Sequence, residues 1–287
     1  MERTLEEAKS ILKKYNQEHI LNGYDNLDEN KKQVLLNQIF DTDFELIKSL
    51  YANTKKQLDN NDDKIEPMDY MDKFKLNEKY KYYENIGKDA IKQGKLAAVT
   101  MAGGQGTRLG HNGPKGTYDI GLDSHKSLFE LLADALKEEG KKYDVTIPWF
   151  IMTSRENNAE TVEFFDKHKY FGYQKDKNIF FFIQGELPMV DTEGKILIGE
   201  DGLIKKAADG HGGIYESLVK NGMTEKMRQL GVEWVFIGGV DNCLVKMVDP
   251  VLMGIAIDKK VTVACKSIVK ANPHEKVGVF CKRNGKP

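Results

Sequence analysis

The feature that most constrains the fold of this chain is a glycine-rich loop, Ala102-Gly103-Gly104-Gln105-Gly106-Thr107-Arg108-Leu109-Gly110, which closes at Pro114-Lys115-Gly116. It follows a short apolar run, residues 96–99, that predicts a buried strand. Because glycines lack side chains, their backbone N–H groups can approach a polyanion closely. Arg108 offers a planar fork for phosphate oxygens, and Lys115 offers a compact point charge. The loop therefore predicts a diphosphate or triphosphate ligand at the end of a strand.

Neither of the two commonest phosphate-binding loops matches this sequence. A Walker loop requires Gly-Lys-Ser/Thr, whereas Lys and Gly are transposed in Pro114-Lys115-Gly116-Thr117. The dinucleotide fingerprint requires G-x-G-x-x-G, and the spacing that starts at Gly104 is one residue too long. Two segments distinguish this loop from a plain glycine turn and make it a specific sequence signal: Thr107-Arg108-Leu109-Gly110 and Pro114-Lys115-Gly116.

The balance of charge limits the kinds of partner that the chain can have. Its 287 residues carry 43 Lys and Arg against 44 Asp and Glu, a net charge of -1, so we expect no global attraction to nucleic acid or to an anionic membrane. Residues 1–7 lack the apolar segment of a signal peptide, and no apolar run approaches the ~18 residues of a membrane helix. Three scattered cysteines, Cys243, Cys265 and Cys281, predict reduced core residues of a cytoplasmic protein.

The pattern of apolar residues divides the chain into two regions. Residues 1–94 are rich in charge and carry apolar residues at helical spacing, which predicts an N-terminal helical region packed on the main domain; a partner-binding arm is the alternative. Within it, the polar stretch 55–71 is predicted to be a loop. From residue 95 to 287, strand-like and helix-like segments alternate. This alternation predicts an α/β domain with a mostly parallel, mixed sheet covered on both faces.

Capping signals and apolar runs place the elements of the second region. Ser127-x-x-Glu130 and Thr153-x-x-Glu156 predict the starts of two helices. Strands are predicted at residues 147–152, 179–183, 234–237 and 261–265, and a hairpin at residues 189–198. The run 277–281 resembles a further strand that leads into Asn284-Gly285, a strong hairpin signal, yet no returning strand follows. We therefore expect the chain to be a C-terminally truncated piece of a longer protein.

Polar groups follow three of the predicted strands. The glycine loop follows the first, Gln184 follows residues 179–183, and Asp241-Asn242 follows residues 234–237. In an open parallel sheet, ligands bind beyond the carboxyl ends of the strands. Gln184 could present its amide and carbonyl to the edge of a base, or it could face solvent. Asp241 could hold Mg²⁺ together with phosphate oxygens and waters, or it could simply form a turn.

A second glycine loop and the six histidines are weaker candidates. Asp209-Gly210-His211-Gly212-Gly213 could be a tight turn, or its N–H groups could meet a ligand. His111 and His211 lie inside the two loops and could touch a ligand without being catalytic. The remaining histidines are expected at the surface: His19, His125, His168 and His274. The sequence has no Gly-x-Ser-x-Gly elbow and no Ser-His-Asp order, which argues against covalent acyl chemistry.

Taken together, these motifs resemble those of the UDP-sugar pyrophosphorylases, and they are most similar to the UDP-N-acetylhexosamine branch of that family. The resemblance runs from about residue 100 to the end of the sequence. Beyond the loop at residues 101–116, the matching segments are Ile151-Met152-Thr153-Ser154, Phe164-Phe165, His168-Lys169-Tyr170-Phe171-Gly172, Gln184-Gly185-x-Leu187-Pro188, Asp209-Gly210-x-Gly212-Gly213-x-Tyr215, Val240-Asp241-Asn242 and Val277-Gly278-Val279.

The resemblance implies a Rossmann-like nucleotidyltransferase fold. It also implies the reaction of UTP with a sugar 1-phosphate, above all N-acetylglucosamine 1-phosphate, to give UDP-sugar and pyrophosphate. By the same resemblance, Arg108 and Lys115 are catalytic and hold the phosphates, Asp241 binds Mg²⁺, and Gly278 touches the sugar. The residues that it places around the nucleotide are Gly103, Gly104, Gly106, Thr107, Gln184, Gly210 and His211, of which Gln184 and Gly210 are expected to read uracil.

The sequence departs from the pattern of the family in two places. His211 stands where the family typically has Asn, so contacts near the nucleoside are expected to differ. The family also continues past the hairpin into an acidic segment that helps to hold the sugar, and then into a C-terminal domain. Neither follows Pro287 here, in line with the expected truncation.

Catalysis of this reaction is expected to rest on positioning and electrostatics rather than on a protein nucleophile. The sugar phosphate must attack the α-phosphorus of UTP against like-charge repulsion of ~4 kcal/mol per pair of charges. Arg108→Ala is therefore expected to lower turnover by orders of magnitude and to leave folding intact. Three alternatives stay open: a UTP-binding fragment without turnover, an enzyme specific for glucose or galactose 1-phosphate, and a glycosyltransferase that uses a UDP-sugar.

Overall fold

The computed structural model describes residues 3–56 and 63–287. Within those ranges the α-helices are α1 (Leu5–Lys14), α2 (Glu29–Asp41), α3 (Phe44–Lys55), α4 (Glu78–Lys92), α5 (Leu128–Tyr143), α6 (Asn158–Lys167), α7 (Ile214–Lys220), α8 (Met223–Gln229) and α9 (Pro250–Asp258). The strands are β1 (Ile65–Pro67), β2 (Leu96–Met101), β3 (Trp149–Thr153), β4 (Ile179–Ile183), β5 (Glu186–Pro188), β6 (Lys206–Ala208), β7 (Trp234–Gly239) and β8 (Cys281–Arg283).

The chain forms two compact units. The first comprises Met1–Asn60 and Gly185–Gly210, and the second comprises Asn61–Gln184 and His211–Pro287. Helices α1 to α3 and strands β5 and β6 lie in the first unit, and the other elements lie in the second. The described part of residues 1–94 contains helices α1 to α4 and the short strand β1, and the predicted N-terminal helical region with these bounds stays a prediction. The proposed start of a catalytic domain at residue 95 stays a prediction.

The first unit is organised around a core that joins its helices to the segment 185–210. Leu12, Leu35 and Ile39 are buried together with Ile196 and Ile204. The hairpin predicted at residues 189–198 is confirmed, since Val190 and Ile196 form an antiparallel bridge. His19 was expected at the surface but is half-buried. Its Nε2 atom lies 2.8 Å from the carbonyl oxygen of Ile196, within hydrogen-bond distance.

The second unit contains a four-stranded parallel sheet with the order β4-β3-β2-β7. Successive side chains of β2 alternate between two cores, because strand residues point to opposite faces in turn. Ala98 packs in the core that holds Trp149 and Phe129, and Val99 packs in the core that holds Phe150. The predicted α/β class is confirmed, and the antiparallel pairs β1–β8 and β5–β6 form separate two-stranded sheets.

The order of the strands creates a switch point beside β2. The chain proceeds from β2 to β3 and β4 on one side, and β7 then pairs with β2 on the other side. In open α/β sheets, ligands bind outside the carboxyl ends of the strands at such a reversal. The two segments that leave this point are the glycine loop after Met101 and the turn after Gly239.

Two predicted elements of the second region are wrong. Thr153 does not cap a helix: it is the last residue of β3, its buried hydroxyl lies 3.2 Å from the carbonyl oxygen of Phe182, and α6 begins only at Asn158. Residues 261–265 form no strand, and Val263 is 73% exposed. Strand-forming side chains do not make a strand without a neighbouring ladder and a face to bury.

The terminal strand is shorter than predicted, but its turn is confirmed. Residues 277–280 are irregular, and only Cys281–Arg283 form a strand, which pairs with Ile65–Pro67. Asn284 and Gly285 have φ values of 52° and 76°, the left-handed pair that a tight hairpin turn requires. The partner of this strand, β1, lies within residues 55–71, which were predicted to be a loop. Residues 57–62 of that stretch lie outside the described residues.

The three cysteines are free thiols; none is fully buried as predicted, and of the three Cys243 packs against the core that holds Trp149 and Phe129. Cys265 is exposed, and Cys243 and Cys281 are half-buried. Across residues 3–56 and 63–287, no helix combines the length and the apolar character needed to cross a membrane.

Helix α9, which follows β7, starts at a well-defined cap. The carboxylate of Asp249 accepts hydrogen bonds from the backbone N–H groups of Val251 and Leu252, each at 3.0 Å, and it pairs with Lys266 at 2.7 Å. Burial alone would raise the pKa of the Asp249 carboxyl, but Lys266 and these amides hold it below its ordinary value. The ionised carboxylate therefore stabilises the folded state.

Asp249→Ala is expected to lower the free energy of unfolding by about 1 kcal/mol, and Asp249→Asn by less, because asparagine also caps helices. Since the folded pKa lies below the unfolded value, the contribution is present above ~pH 4 and disappears as pH falls through the folded pKa. Urea unfolding followed by the fluorescence of Trp149 and Trp234 measures this difference. A loss that grows toward acid pH would contradict the assignment.

Candidate active site

The glycine loop is a closed structure at the carboxyl end of β2. Gln105 and Pro114 form an antiparallel bridge, and the N–H of Gly106 donates to the carbonyl of Gly113 at 2.9 Å. The N–H of Lys115 donates to the carbonyl of Gly104 at 3.0 Å. These bonds fold the second half of the loop back onto the first, and Gly104 is left exposed to solvent.

A buried asparagine that the sequence reasoning missed anchors this loop to the neighbouring strand. The side-chain amide of Asn157, fully buried, donates to the carbonyl oxygens of Ala102 at 3.0 Å and Gly104 at 3.3 Å. Its carbonyl oxygen accepts from the N–H of Ser154 at 2.9 Å. The signal in the sequence is weak, since it consists of a polar residue shortly after the end of β3.

The turn that carries Lys115 rests on the main core through a glycine. Gly116 is buried, and a Cβ placed there would overlap the ring of Phe129 and lie 2.6 Å from its Cδ2 atom. Phe129 is fully buried in α5. Only a residue without a side chain lets the loop approach this ring so closely, so the position of Lys115 is set by the packing of the domain.

Gln184 and Gly103 lie together, although 81 residues of sequence separate them. Gln184 follows β4, and its backbone N–H donates to the carbonyl of Thr153 at 2.8 Å, which continues the ladder by one residue. A Cβ added at Gly103 would overlap Oε1 of Gln184 and lie 3.1 Å from its Cδ atom. The half-buried amide group of Gln184 therefore occupies the space that a side chain at position 103 would fill.

Lys115 and Asp241 meet across the switch point. The Nζ atom of Lys115 lies 3.2 Å from Oδ2 of Asp241, and the N–H of Val240 donates to the carbonyl of Met101 at 3.0 Å. The two side chains are 27% and 63% exposed, so the ion pair is a weak one and adds little stability. Both charged groups consequently remain available to a ligand that enters from solvent.

The donor set beside the loop suits a metal ion that arrives with a phosphate ligand. Among the described residues no group of three or more His, Cys, Asp or Glu side chains is arranged to hold a metal ion. Asp241 supplies a single, mostly exposed carboxylate. Mg²⁺ usually takes one or two carboxylates and completes its shell with substrate phosphates and water, so this arrangement fits Mg²⁺.

The other predicted site residues are placed less tightly. Thr107 and Arg108 are exposed in a short 3-10 helix, Thr107–Leu109, inside the loop. Gly210 ends the first unit with a φ of 81°, and His211 opens the exposed turn before α7 in the second unit. Gly278 lies in the exposed irregular segment, where an added Cβ would meet no atom within 4 Å. The structure thus brings Gly103, Gln184, Lys115 and Asp241 into the region of one edge of the sheet, and it does not pack Gly278 against them.

Gly103→Ala is expected to displace the amide of Gln184 and to weaken nucleotide binding by about tenfold, since one hydrogen-bonded contact to a base is worth roughly 1–2 kcal/mol. For UTP, the ligand that the family resemblance implies, titration calorimetry with UTP and with pyrophosphate separates the two ends of the molecule. We expect the loss for UTP and an unchanged affinity for pyrophosphate. The matched control is Gly23→Ala, which lies outside the loop, has a φ of -115° and leaves the added Cβ in open space; a loss for pyrophosphate equal to that for UTP would contradict the assigned role.

A parallel sheet whose switch point is lined by a glycine loop defines a Rossmann-like α/β protein. The family model described as UTP–glucose-1-phosphate uridylyltransferase matches residues 41–287, and the chain belongs to that family.

The relatives and solved structures that resemble the chain agree with this assignment. UDP-N-acetylglucosamine diphosphorylase 2 of Arabidopsis thaliana is 37% identical over 288 residues, which covers 95% of this chain and 57% of the relative. UDP-N-acetylglucosamine pyrophosphorylase of Saccharomyces cerevisiae is 40% identical over 245 residues, or 84% of this chain and 51% of the relative. The crystal structure of the uridine diphosphate N-acetylglucosamine pyrophosphorylase from Trypanosoma brucei aligns with a TM-score of 0.81 at 29% identity and covers 96% of this chain and 58% of that one. The chain thus spans little more than half the length of each relative.

Proposed function

We propose that this chain carries the nucleotide-binding part of a uridylyltransferase that converts UTP and a sugar 1-phosphate into UDP-sugar and pyrophosphate. N-acetylglucosamine 1-phosphate is the proposed sugar substrate, because the curated relatives at 37% and 40% identity are named for UDP-N-acetylglucosamine. The observation that supports the proposal most strongly is the meeting of Lys115 and Asp241 at 3.2 Å beside the glycine loop. A nucleotide that binds together with Mg²⁺ requires a positive group for its phosphate oxygens and a carboxylate for the metal ion, and these two groups must lie close together.

Each group of residues has a distinct task in this proposal. Gln184 reads the uracil edge, because its amide donates and its carbonyl accepts. The N–H groups around Gly103 and Gly104 approach the phosphates, and Arg108 and Lys115 hold the end that leaves as pyrophosphate. Asp241 holds Mg²⁺, which when bound neutralises phosphate charge. Gly210 and His211 near the nucleoside, and Gly278 at the sugar, complete the proposed set.

The contribution of the chain to the reaction is electrostatic. Two polyanions must meet, and each pair of like charges at ~4 Å costs ~4 kcal/mol at an effective dielectric near 20. Arg108 and Lys115 offset part of that cost and stabilise the charge that develops on the leaving oxygens. The proposal contains no protein nucleophile. A cytoplasmic location, expected from the cysteines, belongs to the same proposal.

The test is the release of pyrophosphate from UTP, Mg²⁺ and N-acetylglucosamine 1-phosphate, together with the reverse formation of UTP from UDP-N-acetylglucosamine and pyrophosphate. Reaction in both directions is the expected result. Binding of UTP without either reaction would reduce the role of this chain to nucleotide binding. Hydrolysis of UDP-N-acetylglucosamine without formation of UTP would favour a glycosyltransferase instead. Glucose 1-phosphate and galactose 1-phosphate are the matched controls for the choice of sugar.

A further inference from the structure

His111 lies between the two turns of the glycine loop that carry its cations. Arg108 belongs to the 3-10 turn Thr107–Leu109, and Lys115 belongs to the 3-10 turn Lys115–Thr117. The backbone N–H of His111 donates to the carbonyl of Gly106 at 3.2 Å. A Cβ added at Gly106 would lie 2.8 Å from both Cβ and Cδ2 of His111, so the imidazole packs directly against the residue at which the first turn begins.

The other side of the same imidazole is bonded to the second turn. Its Nε2 atom lies 2.7 Å from the hydroxyl oxygen of Thr117, and that hydroxyl donates to the carbonyl of Pro114 at 2.8 Å. A threonine hydroxyl has one hydrogen, so both bonds form together when Nε2 of His111 is the donor to Thr117 and Thr117 is the donor to Pro114. The ring is also held by an edge contact with Tyr118 at 5.5 Å between centroids.

We infer that His111 is a positioning residue that fixes the spacing of Arg108 and Lys115, and thereby adapts the loop to the phosphate end of the nucleotide. The inference rests on the proposed function. His111 acts through the loop: it ties the start of one cation-bearing turn to the end of the other. A carboxylate also faces this region, because a Cβ added at Gly113 would lie 2.6 Å from Oε1 of Glu160 and 3.4 Å from Nε2 of His111.

Comparison of UTP with UMP provides a readout that general destabilisation would not produce. His111→Phe keeps a flat ring beside Gly106 but removes the donor to Thr117. We expect this variant to bind UTP about tenfold more weakly, in keeping with the loss of one hydrogen bond, and to bind UMP as the unchanged protein does. His111→Gln retains an N–H donor and is expected to bind UTP within about threefold of the unchanged protein. Equal losses for UTP and UMP in His111→Phe, or no loss at all, would overturn the inference.

Thr117→Val provides the second arm of the test. It removes the acceptor for His111, so it is expected to reproduce the loss seen in His111→Phe, and the double variant should lose no more than either single one. Fully additive losses would show that the two residues act independently and would overturn the inference.

Failure of the proposed function can be told apart from failure of this inference. If the unchanged protein binds neither UTP nor UMP, the proposed nucleotide site is wrong, and amide hydrogen exchange then decides the role of His111. The N–H of buried Gly106 is bonded to Gly113, so His111→Phe should speed its exchange by about tenfold if His111 fixes the loop. An unchanged rate would overturn the inference.

Discussion

Lys115→Ala should weaken UTP binding by about 10-fold to 100-fold, because a hydrogen bond to a charged group is worth roughly 1.5–3 kcal/mol. Turnover should fall further, by about 100-fold to 1000-fold, since the same ammonium is proposed to stabilise charge that develops on the leaving pyrophosphate. The variant also leaves Asp241 without the cation that lies 3.2 Å away, so the exposed carboxylate would repel a phosphate ligand. Titration calorimetry and pyrophosphate release measure the two effects separately.

Lys141→Ala is the matched control for this experiment. Lys141 is likewise ion-paired, with Glu138 at 2.8 Å, but it lies near the end of α5 that leads toward β3, at the amino edge of the sheet. Its loss should leave UTP affinity unchanged. Equal effects of the two substitutions would mean that Lys115 acts only through the total charge of the protein, and the assigned site would then be wrong.

Gly254→Ala is expected to destabilise the second unit by at least about 2 kcal/mol. Helices α4 and α9 cross with their backbones in contact: a Cβ at Gly254 would overlap the carbonyl oxygen of Tyr83 and lie 3.1 Å from the backbone nitrogen of Gly87. A Cβ added at Gly87 would likewise overlap the carbonyl group of Pro250 and lie 2.6 Å from its carbonyl carbon. Backbone atoms cannot swing aside as a side chain does, and the advantage of alanine in helix propensity, ~1 kcal/mol, offsets only part of the overlap.

Urea unfolding followed by tryptophan fluorescence tests this expectation, because Trp149 and Trp234 both lie in the parallel sheet of the second unit. Gly212→Ala is the control: it lies in the same unit, and the added Cβ would meet nothing within 4 Å. That variant should unfold within about 0.5 kcal/mol of the unchanged protein. If Gly254→Ala were equally stable, the two helices could not be packed backbone to backbone.

The sheet and the position of the loop could be predicted from the sequence because both depend on local patterns. Continuous apolar runs such as residues 179–183 mark strands buried on both faces, and the glycine loop marks the end of one of them. Given a parallel sheet, the carboxyl-edge rule then places Gln184 and Asp241 near the loop without further information. The family resemblance supplied the roles of these residues, but the meeting of Lys115 with Asp241 follows from the order of the strands.

The features that could not be predicted depend on contacts between residues far apart in the sequence, or on the absence of a neighbouring strand. Asn157 anchors the loop through the carbonyl oxygens of residues 55 and 53 positions earlier, and no periodicity announces such a bond. The strand-like run 277–280 is irregular because its residues have no ladder to join, whereas Cys281–Arg283 find one in Ile65–Pro67. The association of residues 185–210 with the N-terminal helices is likewise a long-range packing event.

The most direct test of the central claim is a map of backbone amides perturbed by UTP and Mg²⁺, obtained by hydrogen exchange on the whole chain. If the glycine loop and two strand ends form one nucleotide site, residues 103–116, 184 and 240–242 should gain protection together and at the same half-saturating concentration. Pyrophosphate alone should protect the loop and the segment 240–242 but spare Gln184. Protection confined to one of these segments, or found only elsewhere in the chain, would contradict the account.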